Sequence, residues 1–201
     1  EHIWVFSKAL QANSKAKKGR KIYLTIASFS GDDIDMPSCV DMSLKLAVQT
    51  LTDVGLRIGN ISFVQGNISN IVVAQQKNGK QIRQNTKVKR GEVIDLVVEM
   101  TESQTTTNMP DILGKTEEEA EKMLWAAGLN VGKKEFEGKK EKYHSRVVSY
   151  QPTFQGLTLG TTVSLYFVND TKNNYKKLKR DFEEQLILEQ SQFEEWEEVI
   201  E

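Results

Sequence analysis

The sequence predicts an α+β protein built of tandem small repeats. Each repeat reads as one helix laid on a sheet of roughly three mainly antiparallel strands, and a charged amphipathic helix follows at the C-terminal end. Three observations predict this. The segment from Met36 (MPSCVDMSLKLAVQTLTDVGLRIG) returns without a gap in the segment from Met109 (MPDILGKTEEEAEKMLWAAGLNVG), at an offset of 73 residues. Both copies carry apolar residues at helical spacing. Beyond each helix, short runs alternate apolar and polar residues with a period of two, the pattern of a strand with one buried face.

In the shared register Pro37 meets Pro110, Ala47 meets Ala120, Leu51 meets Leu124, Gly55 meets Gly128, Leu56 meets Leu129 and Gly59 meets Gly132. The prolines open an extended lead-in. Ser43 and Thr116 are placed to cap a helix, and Thr116-x-x-Glu119 forms a capping box. Leu44, Ala47, Leu51 and Val54 make the apolar stripe of the first helix; Ala120, Met123, Leu124 and Ala127 make that of the second. Gly55 and Gly128 then supply a left-handed residue to end each helix. The strand signals are Ile94-Leu96-Val98 after Lys89-Arg90-Gly91, and Val163-Leu165-Phe167 after Leu159-Gly160. A third such signal, Ile22-Leu24-Ile26 after Lys17-Lys18-Gly19, stands near the start of the chain. The expected units are therefore residues 1–33, the back half of an incomplete repeat, then repeats over 34–102 and 107–169, then the helix over 170–201. A half-repeat at the start implies natural sequence upstream. Cores this small are marginal alone, so neighbouring units are expected to support one another.

Composition narrows the function. The 201 residues hold 27 Lys+Arg against 28 Asp+Glu, a formal net charge of -1, which lacks the basic footprint of a nucleic-acid binder. No run approaches the roughly 18 consecutive apolar residues of a membrane helix. No Ser, Cys or His stands at catalytic spacing around His2 or His144, so no enzyme is expected. Two distant histidines and one cysteine make no metal site and point to no cofactor. Cys39 aligns with Ile112 and reads as a small packed apolar side chain. The glycines follow helices instead of preceding them, so they cradle no phosphate.

The order of motifs resembles the PASTA domain. The second copy carries it most clearly: Met109-Pro110-Asp111, then Ala127-Gly128-Leu129-Asn130-Val131-Gly132, then Val147-Val148-Ser149-Tyr150-Gln151-Pro152 with Gly156 and Gly160. In the first copy Gln76 lacks the following proline, and Asn78-Gly79-Lys80 with a longer loop leads to Lys89-Arg90-Gly91. That departure resembles the variant found in kinase-free envelope proteins of Gram-negative anaerobes. The resemblance covers roughly residues 1–169. It implies a non-catalytic module outside the cytoplasmic membrane, in the periplasm or cell envelope, anchored by a membrane helix upstream of residue 1. It further implies recognition of peptidoglycan or muropeptide fragments, or a role as structural spacer and scaffold.

Trp125 follows Leu124 by one residue and so points about 100 degrees from the buried stripe. Its indole is expected either to pack between units or to meet a ligand. Tyr143, His144 and Arg146 precede a strand and offer donors to carboxylates, or form a solvated loop edge. In the tail, Tyr175, Leu178, Phe182, Leu186, Phe193, Trp196 and Ile200 recur at spacings of three, four and seven, a coiled-coil-like seam. Basic residues lead and acidic residues follow, against the helix dipole. Leu178, Phe182, Leu186, Phe193 and Trp196 are the expected contacts for self-association or a protein partner through 172–201, the alternative being a helix folded back on its own repeats.

Overall fold

A computed structural model describes residues 33–141 and 143–200, with side chains as far as residue 191 in the last helix. The expected half-repeat over 1–33 lies outside the described residues apart from Asp33.

The two helices form where their caps and stripes place them. Helix α1 (Leu44–Asp53) is capped by Ser43, whose Oγ accepts from Leu46 N at 3.4 Å. Helix α2 (Glu117–Ala126) opens on the full capping box: Thr116 Oγ1 accepts from Glu119 N at 3.3 Å, and Glu119 Oε2 accepts from Thr116 N at 2.9 Å. Leu44, Ala47, Val48 and Leu51 are buried on α1. On α2 the buried set is Ala120, Glu121, Leu124 and Trp125, a wider arc than one stripe because this helix faces both repeats.

Gly55 and Gly128 follow the helices with φ of +82° and +77°, where a side chain is strained. In each unit that glycine's carbonyl accepts from a second glycine: Gly91 N to Gly55 O at 2.7 Å, Gly160 N to Gly128 O at 2.8 Å. This bond ties the helix end to the start of the last strand.

In the first unit, strands β2 (Arg57–Gln65), β3 (Ile71–Lys77), β4 (Lys80–Gln81) and β6 (Val93–Met100) form a sheet in the order β2-β6-β3-β4. A short pair, β1 (Asp33–Asp35) with β5 (Lys87–Lys89), lies beside it. In the second unit β8 (Asn130–Phe136), β9 (Ser145–Gln151) and β11 (Thr162–Asn169) form a sheet in the order β8-β11-β9, accompanied by the pair β7 (Thr106–Thr107) with β10 (Leu157–Thr158). Both sheets are mixed. The central strand runs parallel to the strand after the helix and antiparallel to the other. The parallel ladder breaks register at the same place in each copy, between Ile58 and Ile61 against β6 and between Val163 and Leu165 against β8.

Each unit has its own apolar core, one around Leu51, Ile61, Ile94 and Leu96, the other around Leu124, Leu129, Leu165 and Phe167. Cys39 and Ile112, equivalent in the repeat, are both fully buried. Cys39 N donates to Gln75 Oε1 at 2.8 Å, and burial pushes the thiol up to about 11, so it stays protonated and inert at neutral pH.

Helix α3 (Tyr175–Ile200) lies with its first half on β9. Phe182 is buried edge-on against Tyr150, ring centroids 5.0 Å apart, and Leu186 packs on the second core. Leu178 is half-buried. Phe193 and Trp196 fall in the turns whose side chains lie outside the description. Lys172 Nζ donates to Glu137 O at 2.8 Å and Asn174 Nδ2 to Glu137 Oε2 at 3.1 Å, fastening the chain just ahead of the helix.

Candidate functional site

The two units meet along α1 with α2 and β2 with β8. Trp125 is the largest side chain at this junction. It belongs to the second unit, yet it is 5% exposed and packs in the core of the first. Beside it the Asn130 side chain bridges backbones across the junction. Its Oδ1 accepts from Ile61 N at 2.8 Å, and its Nδ2 donates to Ile61 O at 3.0 Å and to Gly160 O at 2.9 Å. Ile61 stands at the register break of β2, where the ladder to β6 leaves backbone groups to be satisfied from outside. Lys122 Nζ lies 3.7 Å from Asp53 Oδ1 at the exposed rim.

Two openings of about 410 Å³ flank the indole and share Arg57, Glu121 and Trp125 as lining. One runs past Thr52, Gly55 and Lys122; the other runs past Asn60, Val131 and Lys134. Together they form a cleft between the repeats. Its acidic groups are already engaged: Lys134 Nζ lies 2.7 Å from Glu117 Oε1 and 2.6 Å from Glu121 Oε1, and Lys140 also pairs with Glu117. Its donors are not. Trp125 Nε1 is buried without a hydrogen-bond partner. Arg57 has no carboxylate within ion-pair distance among the described residues. A cleft with spare donors beside paired carboxylates suits a ligand that presents carbonyl or carboxylate oxygens.

The lysine–glutamate group also sets a pH dependence. Burial raises the Glu117 carboxyl, but hydrogen bonds from Lys134 and Lys140 outweigh it and hold the group below its ordinary value. Burial lowers the Lys134 ammonium, and its bonds to Glu117 and Glu121 outweigh that in turn and hold it high. A carboxyl held low takes up its proton less readily folded than unfolded. Its stabilisation is therefore full above the ordinary carboxylate range and fades as pH falls through about 4. Lysine held high gives the opposite limb, full below about 10.4 and lost as pH rises through its folded value. Urea midpoints of Glu117→Gln should fall less steeply than those of the parent between about pH 5 and pH 3. Equal slopes would remove Glu117 from the acid response.

The structure places the remaining expected contacts elsewhere. Tyr143 is 73% exposed. His144 Nδ1 lies 3.0 Å from Asp170 Oδ1, and Arg146 Nε lies 3.3 Å from Asp170 Oδ2. Asp170, just past β11, thus gathers His144 and Arg146 into a second polar cluster at the start of β9. Arg146 Nη1 is buried there without a partner. Trp125 belongs to the cleft and not to this cluster.

Sequence reading passed over Arg57 and Asn130. The repeat register aligns these two residues with each other, as it aligns Thr52 with Trp125. Positions where two copies of one unit differ so sharply are those that face a neighbour, and that difference was the available signal. Among the described residues no group of His, Cys, Asp and Glu could hold a metal ion, and no helix is long and apolar enough to cross a membrane.

No protein-family model matches the chain. A probable serine/threonine-protein kinase of Clostridium perfringens (strain 13 / Type A) is 26% identical over 151 residues, 73% of this chain and 21% of the kinase. The chain thus spans about a fifth of that relative's length. Among solved structures, the three-PASTA-domain region of a Ser/Thr kinase from Staphylococcus aureus is 20% identical with a TM-score of 0.31, covering 77% of this chain and 74% of that one. The entire extracellular region of the Ser/Thr kinase PrkC from Staphylococcus aureus is 20% identical with a TM-score of 0.30, covering 80% of this chain and 55% of that one. Penicillin-binding protein 2X from Streptococcus thermophilus is 14% identical with a TM-score of 0.27, covering 69% of this chain and 17% of that one. The proline-led lead-ins and Gly-Leu helix ends of both units, and the Gln-Pro turn of the second, set on repeated helix-and-sheet units, resemble the PASTA domain.

Proposed function

We propose that this chain is a non-catalytic binding module of the bacterial cell envelope, working outside the cytoplasmic membrane, and that it takes up peptidoglycan fragments in the cleft between its repeats. One observation carries the reading: the cleft holds a buried indole N–H without an acceptor and, among the described residues, a guanidinium without an ion-pair partner, while Glu117 and Glu121 are already bound. Muropeptides offer N-acetyl carbonyls and peptide carboxylates to such donors. The PASTA resemblance of the motifs points to the same ligand class.

Calorimetric titration of soluble muropeptides tests this. Saturable binding is expected. Arg57→Ala should weaken it by roughly 10-fold or more, as loss of a charge-assisted bond predicts. Trp125→Phe, which keeps most of the packing and deletes the N–H, should weaken it by roughly 3- to 10-fold. Binding lost instead in Tyr143→Ala, His144→Ala and Arg146→Ala would move the site to the second cluster. No binding by the folded chain would leave it a structural spacer.

A further inference from the structure

We propose that α3 pairs antiparallel with α3 of a second copy of this chain, through the face turned away from the second repeat. The inward face is occupied: Phe182 and Leu186 lie against the second unit. At 100 degrees per residue, positions 177, 180, 184, 187, 188, 191, 195 and 198 fall on one stripe on the opposite side. Its described part is exposed. Ile187 and Leu188 are 65% and 61% accessible, large apolar residues side by side in the middle of the helix. Lys177 is exposed. Among the described residues Arg180 has exposed pairs of 3.6 Å to Asp181 and 3.7 Å to Glu184, which restrain it little. The helix continues to Ile200, so the same stripe passes through positions 195 and 198, both glutamates.

The stripe thus opens on Lys177 and Arg180, carries Ile187 and Leu188 at its centre between Glu184 and Ser191, and closes on Glu195 and Glu198; reversed, its acidic end meets its basic start and Glu184 meets Ser191. A two-fold axis between Ile187 and Leu188 sets Arg180 opposite Glu195 and Lys177 opposite Glu198, and sets the apolar pair against its own copy. Such a contact is isologous, each charge pair occurring twice. A parallel pairing would face like charge with like, which selects the antiparallel arrangement. Pairing would also relieve the unfavourable run of charge along the helix dipole, because each acidic end meets a basic start. The seam is about 33 Å long, from 22 residues at 1.5 Å each, with a small apolar centre, so association in the micromolar range is expected.

Sedimentation equilibrium of the full 201-residue chain over roughly 1 to 500 µM tests the proposal. The mass should rise from 22.8 kDa towards twice that value. Ile187→Glu should raise the dissociation constant by roughly 100-fold, since it sets two like charges into the apolar centre. Arg180→Glu should raise it by roughly 10-fold, because the pair turns repulsive twice over. Arg180→Glu combined with Glu195→Arg should restore it to within roughly threefold of the parent, as the pairs re-form with reversed sign. Arg180 and Ile187 are exposed, and circular dichroism checks that each variant stays folded. A monomer throughout the range overturns the proposal. So does a dimer indifferent to Ile187→Glu, or a double variant no tighter than Arg180→Glu alone.

Discussion

Trp125→Ala destabilises the folded chain by about 3–5 kcal/mol, the range for truncating a buried tryptophan, and the loss falls on the repeat to which Trp125 does not belong. The indole leaves α2 and fills space in the core formed by Leu51, Ile58 and their neighbours. Removing it opens a cavity in the first unit, while Ala120 and Leu124 still hold α2 to the second. Hydrogen exchange resolves the two effects. Amides of β2 and β6 should lose protection more than those of β9 and β11, and the unfolding transition should broaden or split relative to the parent's as the units come apart. Equal loss in both units would mean that Trp125 is merely part of its own repeat's core.

Asn130→Ala costs about 2–3 kcal/mol for a different reason. The Asn130 amide serves three backbone groups, Ile61 N, Ile61 O and Gly160 O, and alanine serves none. An orphaned buried N–H costs about 1–3 kcal/mol, and the two carbonyls add to it. Asn130→Asp should fare no better: it keeps an acceptor for Ile61 N but turns a carboxylate oxygen towards two carbonyls. Denaturant titrations of Trp125→Ala, Asn130→Ala and the pair complete a double-mutant cycle. A coupling of at least about 0.5 kcal/mol is expected, because both residues hold one junction. Strict additivity would show that they act independently.

Helices and strands were legible because their signals are local. Thr116 and Glu119 announce the start of α2 within four residues, and Gly128 announces its end. The alternation of Val163, Leu165 and Phe167 says which residues face the core. It does not say which way the neighbouring strand runs, so the parallel ladder between β8 and β11 had to come from the structure. Trp125's direction was readable from its step past Leu124. Its destination was not, because the space it fills is made by residues from α1 and β2. Asn130 shows the same limit: its partner Ile61 is 69 residues away, beyond any periodic pattern. The tail's amphipathic stripe was plain, but it left its occupant open between a second copy, a protein partner and the chain's own repeats. Phe182 against Tyr150 assigns the first half of that stripe to the second repeat. The sites expected from sequence were those with evident chemistry, such as His144 and Arg146. The cleft lies where the copies differ, at Arg57 against Asn130 and Thr52 against Trp125, and those differences gain meaning only once the units are set side by side.

The most direct test of the central claim follows the indole N–H proton of Trp125 by 15N-edited NMR while a soluble muropeptide is added. The chain has three tryptophans, and Trp125→Phe assigns the resonance. The account predicts that this proton moves downfield and saturates as it gains an acceptor, together with amides of Arg57 and Asn60 along the cleft. An indole resonance that stays still while the muropeptide binds elsewhere, or fails to bind at all, would contradict it.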